Sequence, residues 1–467
     1  MDWNKLLSDK RLRPSSKDYT GDARNPFESD FGRLIFSPAT RRMHDKTQVF
    51  PLTSDDNIHS RLTHSLEVLA IGYSLGIRIV ENDEFLKRTN QDKDYLIRSI
   101  PTTLKNVCLV HDIGNPPFGH FGETVISQYF SNLFSEEEEK KVYGFELSKD
   151  EKRDFTSFDG NAQGFRVLTK LQILQDRYGL NLTCNTLASF LKYPNFGKPI
   201  SDRFYTEKIG VFQSEKEAFK EVASECGLEI SGKYLRHPLA YLMEAADSIC
   251  YYVMDIEDGY NKGLYNYDFI KEYLLDEIKD EEVIESLFKK SDEVNGINER
   301  NAKIIKLRIS LIDYLVDLAV ENFIMNIESI EKGTYKSELI EEDSNNVANT
   351  LYSFCKEHIF KRREIEFLEL TGHAVISGLL DYYIQFLFNG SKHYKRRALN
   401  LISKSIKLSA FLDNGIKNNS ILKEDELKCF EKLDDYYKLR IIVDFITGMT
   451  DQFALKHYQK LSGQKII

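Results

Sequence analysis

Only 10 prolines and 25 glycines interrupt 467 residues. Proline removes a backbone donor and glycine costs entropy inside a helix, so a chain this poor in both favours long helices. The apolar pattern agrees. Residues 61–80 (RLTHSLEVLAIGYSLGIRIV) place Leu62, Leu66, Leu69 and Leu75 at helical spacing. Residues 101–117 predict an apolar helix that stops at Gly114-Asn115-Pro116-Pro117. Residues 237–260 open on Pro238, suited to a first helical turn, and are apolar at Leu239, Leu242, Met243, Ala246 and Ile249. Further helices are expected over 304–330, 363–389, 395–413 and 436–461. Strand signals are short and few, and no internal repeat is present. The expected fold is all-α, in roughly two to three domains' worth of chain or one large helical domain with insertions.

Charge and cysteine usage narrow the setting. The 63 Lys+Arg against 73 Asp+Glu leave a net charge of −10, which excludes indiscriminate polyanion binding. An anionic ligand would need a local positive pocket. Residues 1–20 carry no apolar stretch of signal-peptide length, and no apolar run reaches the roughly 18 residues of a membrane span. The six cysteines are scattered without a C-x-x-C pair, as expected of free thiols in a reducing cytoplasm. Cysteine-based zinc sites are therefore out, and a metal would need histidine and carboxylate. The charged stretch 134–156 reads as an exposed insertion, 192–216 as a structured loop, and 276–285 as a solvated helix face.

Two His-Asp dipeptides occur. His44-Asp45 sits among Arg41, Arg42 and Lys46 with no apolar run before it, and reads as a surface turn. His111-Asp112 ends an apolar helix and leads into GNPPFGHFGE, a context that can hold a ligand rigidly. His64 and Asp247 lie on the other two strong helices. Singly, each reads more readily as a buried polar residue. Together with His111 and Asp112 they make a two-imidazole, two-carboxylate set, suited to a six-coordinate divalent ion such as Mg, Mn, Fe(II), Co or Ni. The rigid turn places His120 nine residues after His111, and Glu123 one helical turn further on. Such a pair suits acid–base work, although a capped, satisfied histidine is the plainer reading when the pair is taken alone. Asp247, Tyr251 and Asp255 recur at i, i+4 and i+8 and share a helix face. Arg61, one turn before His64, and Lys192 with Tyr193 could meet phosphate, as could Lys198, Arg203 and Lys208 in the same loop. Neither a Walker A motif nor a G-x-S-x-G elbow is present.

These motifs resemble the deoxyguanosinetriphosphate triphosphohydrolase (dGTPase or dNTPase) family of the HD superfamily. The resemblance rests on KTQVFP (46–51) with RLTHSLEV (61–68), HDIGNPPFGHFGE (111–123), DGNAQGFRVL (159–168), LKYP (191–194) and KIGVFQSE (208–215). HPLAYLMEAADSICYYVMDIEDG (237–259) and DFITGMTDQFALKHYQKL (444–461) complete it. It implies an HD-type helical core over 1–262. Helices over 263–467 would pack on that core and complete the pocket or an oligomer interface. It also implies divalent-metal-dependent hydrolysis of a dNTP at the α-phosphorus, giving deoxynucleoside and tripolyphosphate. By position, His64, His111, Asp112 and Asp247 correspond to metal ligands and His120 and Glu123 to the catalytic pair. Gln48 corresponds to the reader of the sugar 3′-hydroxyl, Arg61, Lys192 and Tyr193 to polyphosphate contacts, and Tyr251 and Asp255 to the sugar pocket. The family's AADDI helix here reads Ala245-Ala246-Asp247-Ser248-Ile249, which leaves the role of the second aspartate open. Relatives are often hexamers or tetramers, so a homo-oligomer is expected. The competing readings are an HD nucleotide phosphodiesterase and a non-catalytic nucleotide- or ssDNA-binding regulator. The basic stretch 392–407 could take an ssDNA or nucleotide effector, but reads more readily as an exposed helix face or subunit contact.

Overall fold

Side-chain caps and glycine contacts set the helices that build the centre of the molecule. The computed structural model describes all residues except 15–21, 49–51, 53–58, 173–175, 198–207, 231, 297, 361–362, 417–424 and 466–467. Its principal helices are α1 (Pro26–Ile35), α2 (Arg61–Glu81), α3 (Lys93–Val110), α4 (Gly119–Lys140), α5 (Lys149–Thr156) and α6 (Gly160–Arg166). They continue as α7 (Cys184–Phe190), α8 (Pro238–Asn261), α9 (Glu299–Met325), α10 (Arg363–Ile384), α11 (Asp435–Thr447) and α12 (Asp451–Leu461). Among the described residues the only sheet is the two-residue antiparallel pair Glu229–Ile230 with Lys233–Tyr234. The all-α expectation holds.

Ser60 caps α2 in a reciprocal capping box with Thr63, and Asp92 caps α3 through the amide of Tyr95. The two helices approach backbone to backbone. A Cβ on Gly72 would meet Cys108 Sγ at 2.4 Å, and one on Gly76 would meet Pro101 Cα at 2.7 Å. Helix α8, buried along most of its length, lies against both. These three helices join α1, α7 and α9 in one apolar core. A second core gathers Phe130 of α4 and Phe155 of α5 against Tyr383 of α10 and Ile442 of α11.

Several boundaries differ from expectation. Helix α3 ends at Val110, and residues 111–118 form the turn, which is held by the close approach of Gly114 to Gly164 and by the Asn115–Asp112 hydrogen bond. Helices break at Ile402-Ser403 and at Gly448–Thr450, so 395–413 and 436–461 are each two elements. Residues 276–285 hold the junction of two helices, with Ile278 buried and Asp280 as an N-cap. The expectation of an exposed insertion over 134–156 is corrected. Lys140, Lys141, Glu146, Lys149 and Asp150 are exposed, but Phe134, Glu137, Asp154 and Phe155 are buried, and the Tyr436 hydroxyl donates to Asp154 at 2.6 Å. The described part of 192–216 is loop-like up to Gln213; Lys198 and Arg203 fall outside the described residues.

Candidate active site and metal centre

Three of the four expected ligands converge from three helices or their ends. His64 on α2, His111 at the end of α3 and Asp247 on α8 present ligand atoms all within 4.8 Å of one another. His64 Nε2 lies 3.1 Å and His111 Nε2 3.3 Å from Asp247 Oδ1. His111 Nδ1 sits 2.8 Å from the Cys108 carbonyl, which accepts its proton and aims Nε2 into the group. That Nε2 is buried without a good hydrogen bond. Burial opposes charge on the imidazole, yet Asp247 and Asp112 raise its pKa to about 9. The pocket is thus built for positive charge, and an orphaned imidazole nitrogen with a shared carboxylate fits a divalent cation.

Asp112 stands beside this group rather than in it. Its Oδ2 is 3.7 Å from His111 Nε2 but is held by the Arg61 guanidinium, and Oδ1 accepts from Asn115 Nδ2 at 2.7 Å. Burial would raise this carboxyl; Arg61 above all holds it well below the usual range. His44-Asp45, the other dipeptide, is a surface turn whose side chains are 72% and 65% exposed.

The His120–Glu123 pair forms where the turn re-enters helix. Phe118 and Gly119 both take positive φ, +63° and +59°, and a Cβ at Gly119 would meet Arg61 Nη2 at 2.5 Å. Glycine is therefore required there, and it brings α4 onto Arg61. His120 Nδ1 lies 3.1 Å from Glu123 Oε2, with the His120 side chain 76% exposed and Glu123 buried. Glu123 Oε1 accepts from the Gly160 amide at 2.9 Å. Glu123 raises the His120 pKa from its ordinary value. The DGNAQG segment docks behind the turn through glycines. A Cβ on Gly114 would lie 2.0 Å from Gly164 N, and one on Gly160 would lie 2.1 Å from Asn115 Oδ1.

The remaining expected residues are less uniform. Tyr251 and Asp255 follow Asp247 along α8; Tyr251 stacks on Phe360 at 5.7 Å between ring centroids. Asp255 is buried with Oδ2 unpartnered among the described residues. Burial and then Asp258 push its carboxyl well above the usual range. Lys192 is half-buried and paired with Glu244 at 2.9 Å, a carboxylate that also holds Arg236 at 2.7 Å. Tyr193 lies under the ammonium groups of Lys192 and Lys208, each 5.8 Å from its ring. The Gln48 backbone N–H donates to the His59 carbonyl at 3.4 Å, and the side-chain Oε1 is buried without a described partner. Val49, Phe50 and Pro51 of the same motif lie outside the described residues.

Some residues at the site carried no readable signal. Asn115 orients Asp112, and Glu244 orients Lys192. His59 bridges Asp258 at 2.7 Å and Glu67 at 3.1 Å. Ser248, where the family's second aspartate is absent, donates to Glu338 at 2.9 Å, so a carboxylate reaches this spot from a distant segment. The Ser248 departure was the one available clue.

A helical protein that gathers two histidines and an aspartate at a buried point, beside a His–Glu pair, has the make-up of an HD-type phosphohydrolase. Residues 61–163 match the HD domain family and residues 409–460 the phosphohydrolase-associated domain. The chain is 34% identical to a deoxyguanosinetriphosphate triphosphohydrolase-like protein of Listeria monocytogenes, over 99% of this chain and 100% of that one. It is 33% identical to a like-named protein of Synechocystis, over 99% of each chain. It is 31% identical to the deoxyguanosinetriphosphate triphosphohydrolase of Yersinia enterocolitica, over 96% of each. The chain belongs to the deoxyguanosinetriphosphate triphosphohydrolase family of the HD superfamily.

Proposed function

We propose that this protein is a divalent-cation-dependent dNTP triphosphohydrolase, with dGTP the foremost substrate, that cleaves at the α-phosphorus to release deoxynucleoside and tripolyphosphate. The observation that carries the reading is the His64–His111–Asp247 group beside the His120–Glu123 pair, with Arg61 in contact with both Asp112 and Gly119. His64, His111 and Asp247, joined by Asp112, would hold the cation, whose chemistry is to polarise the α-phosphate and lower the pKa of water. With Asp112 among the residues that would hold the cation, Arg61 would be free to meet the substrate's phosphates, where its planar fork suits two oxygens. His120 moves a proton at its exposed Nε2 while Glu123 fixes the ring through Nδ1. Lys192, held in place by Glu244, and Tyr193 bound the polyphosphate. Tyr251 packs against the sugar, and the buried Asp255 carboxyl, whose Oδ2 has no described partner, meets a sugar hydroxyl. Gln48 Oε1 serves the 3′-hydroxyl.

Incubation with each dNTP and NTP plus Mn or Mg, followed by phosphorus NMR and nucleoside chromatography, tests this reading. Tripolyphosphate and deoxynucleoside should appear together. Orthophosphate, pyrophosphate or a nucleoside monophosphate as the primary product would overturn it in favour of another HD hydrolase reaction.

A further inference from the structure

A cavity of about 570 Å³ lies against the HDIGNPP turn and shares no lining residue with the His64–His111–Asp247 group or the His120–Glu123 pair. Its volume falls within the range of small-molecule sites. Its walls are mainly apolar, with Ala39, Ile113, Leu180, Phe445 and Met449 among them. Phe36 and Phe453 also line it and are 80% and 51% exposed.

The polar groups are unbalanced in one direction. Arg33, Arg42 and Lys46 line the cavity against a single carboxylate, Asp444. Asp444 is already engaged by Arg166 at 2.7 Å and Arg440 at 3.1 Å. The Lys46 ammonium is held by the carbonyls of Asn115, at 2.5 Å, and Thr447, at 2.9 Å. Arg42 is half-buried, and burial and the neighbouring Arg41 are the influences on its guanidinium, with no described carboxylate paired to it. Burial, followed by neighbouring Arg41, lowers its pKa, as expected for a desolvated cation lacking a counter-ion. An apolar chamber with one unanswered guanidinium is matched by a ligand with an apolar body and one anionic group. A triphosphate would bring several charges where one unpaired fork waits.

We propose that this cavity binds a small amphipathic carboxylate, its apolar body among Ile113, Leu180, Phe445 and Met449 and its carboxylate on Arg42. The occupant would rest against Ile113 and Gly114 and beside the Lys46 that ties down the Asn115 carbonyl, so it bears directly on the turn that carries His111 and Asp112. Binding is measured without turnover, so this site stands or falls separately from the triphosphohydrolase reading.

The full chain in EDTA is titrated with 1-anilinonaphthalene-8-sulfonate, followed by displacement with octanoate, 1-octanol or dGTP. Octanoate should displace the dye. Arg42→Gln should weaken octanoate by about ten-fold or more while leaving 1-octanol within about two-fold, the expected loss of a charge-assisted bond. Ser405→Trp, introduced at a half-buried lining position, should abolish displaceable binding of both with the helical circular dichroism unchanged. The proposal is overturned if neither variant changes the titrations. It is overturned equally if dGTP displaces the dye as well as octanoate does.

Discussion

Arg61 and a cation have a claim on the same oxygen. The Asp112 side chain is 15% exposed, and its carboxylate is neutralised by Arg61. Removing the guanidinium should therefore leave Asp112 available as a ligand. Arg61→Gln should tighten Mn binding by roughly ten-fold, the scale of one charge-assisted hydrogen bond, while weakening substrate binding. Calorimetric titration with Mn reads the first effect and KM the second. Unchanged Mn affinity would remove Asp112 from the ligand set. At His120 the pKa shift has a definite sign. Glu123 raises it, so the imidazolium persists to higher pH than in a free histidine. Glu123→Gln should move the pH–rate limb governed by His120 toward lower pH, and His120→Ala should lose about 10²–10⁴-fold in turnover with Mn still bound. Retained activity would end the acid–base assignment. The residues legible in the sequence were those whose helix context is local: His64, His111, Asp247, His120 and Glu123. The Arg61–Asp112 pair was not legible, because nothing in the spacing of two charges 51 positions apart fixes their contact.

At the scale of elements, His59 fastens the entry of α2 to the end of α8. Its ring touches Asp258 of α8 and Glu67 of α2, and only 18% of the side chain is exposed. Burial opposes its charge, but Asp258 and then Glu67 raise its pKa to about 10. The folded pKa exceeds the unfolded value of about 6.5. The stabilisation is therefore complete below about pH 6.5 and is lost as pH rises through about 10. His59→Gln should cost about 2 kcal/mol at pH 6, and the gap to the parent should close near pH 10. Unfolding titrations across that range decide it; a gap independent of pH would mean that packing, not the ion pairs, makes the difference. Helix existence was legible from periodicity, since α2 and α8 each carry an apolar face and a strong cap. The ends were less so. Apolar period continues through Ile113, yet the chain leaves the helix at Val110, because the turn that follows is pinned by Gly164, Asn115 and Asp112, which the local pattern does not reveal.

Across the whole molecule, the C-terminal region holds the turn that carries the HD pair. Arg166 at the end of α6 is fully buried between Asp444 and Glu215, which links the DGNAQGFR and DFITGMTDQ motifs by charge. Asp451, at the start of α12, completes the tie. One carboxylate oxygen accepts from the Phe118 amide at 3.0 Å, and the other accepts from the amide and hydroxyl of Thr47, at 3.0 and 2.7 Å. A single side chain 333 positions away thus secures the left-handed residue that precedes Gly119, and with it the approach of α4 to Arg61. Positive φ at a phenylalanine is costly, on the order of 1–3 kcal/mol, and persists only where the surroundings hold it. Asp451→Ala removes three bonds and should let Phe118 relax, displacing His120, two residues on, from its present position. The expected result is a turnover loss of about 10²-fold, the scale set by misplacing a catalytic group by about 1 Å, with Mn affinity kept within about three-fold. Metal binding is spared because His64 and Asp247 lie on α2 and α8, and the His111 ring is fixed by Cys108 within α3. Loss of turnover and Mn binding together would mean that Asp451 supports the fold at large. Loss of turnover alone would show that the last helix of the chain positions the acid–base pair and not the ion.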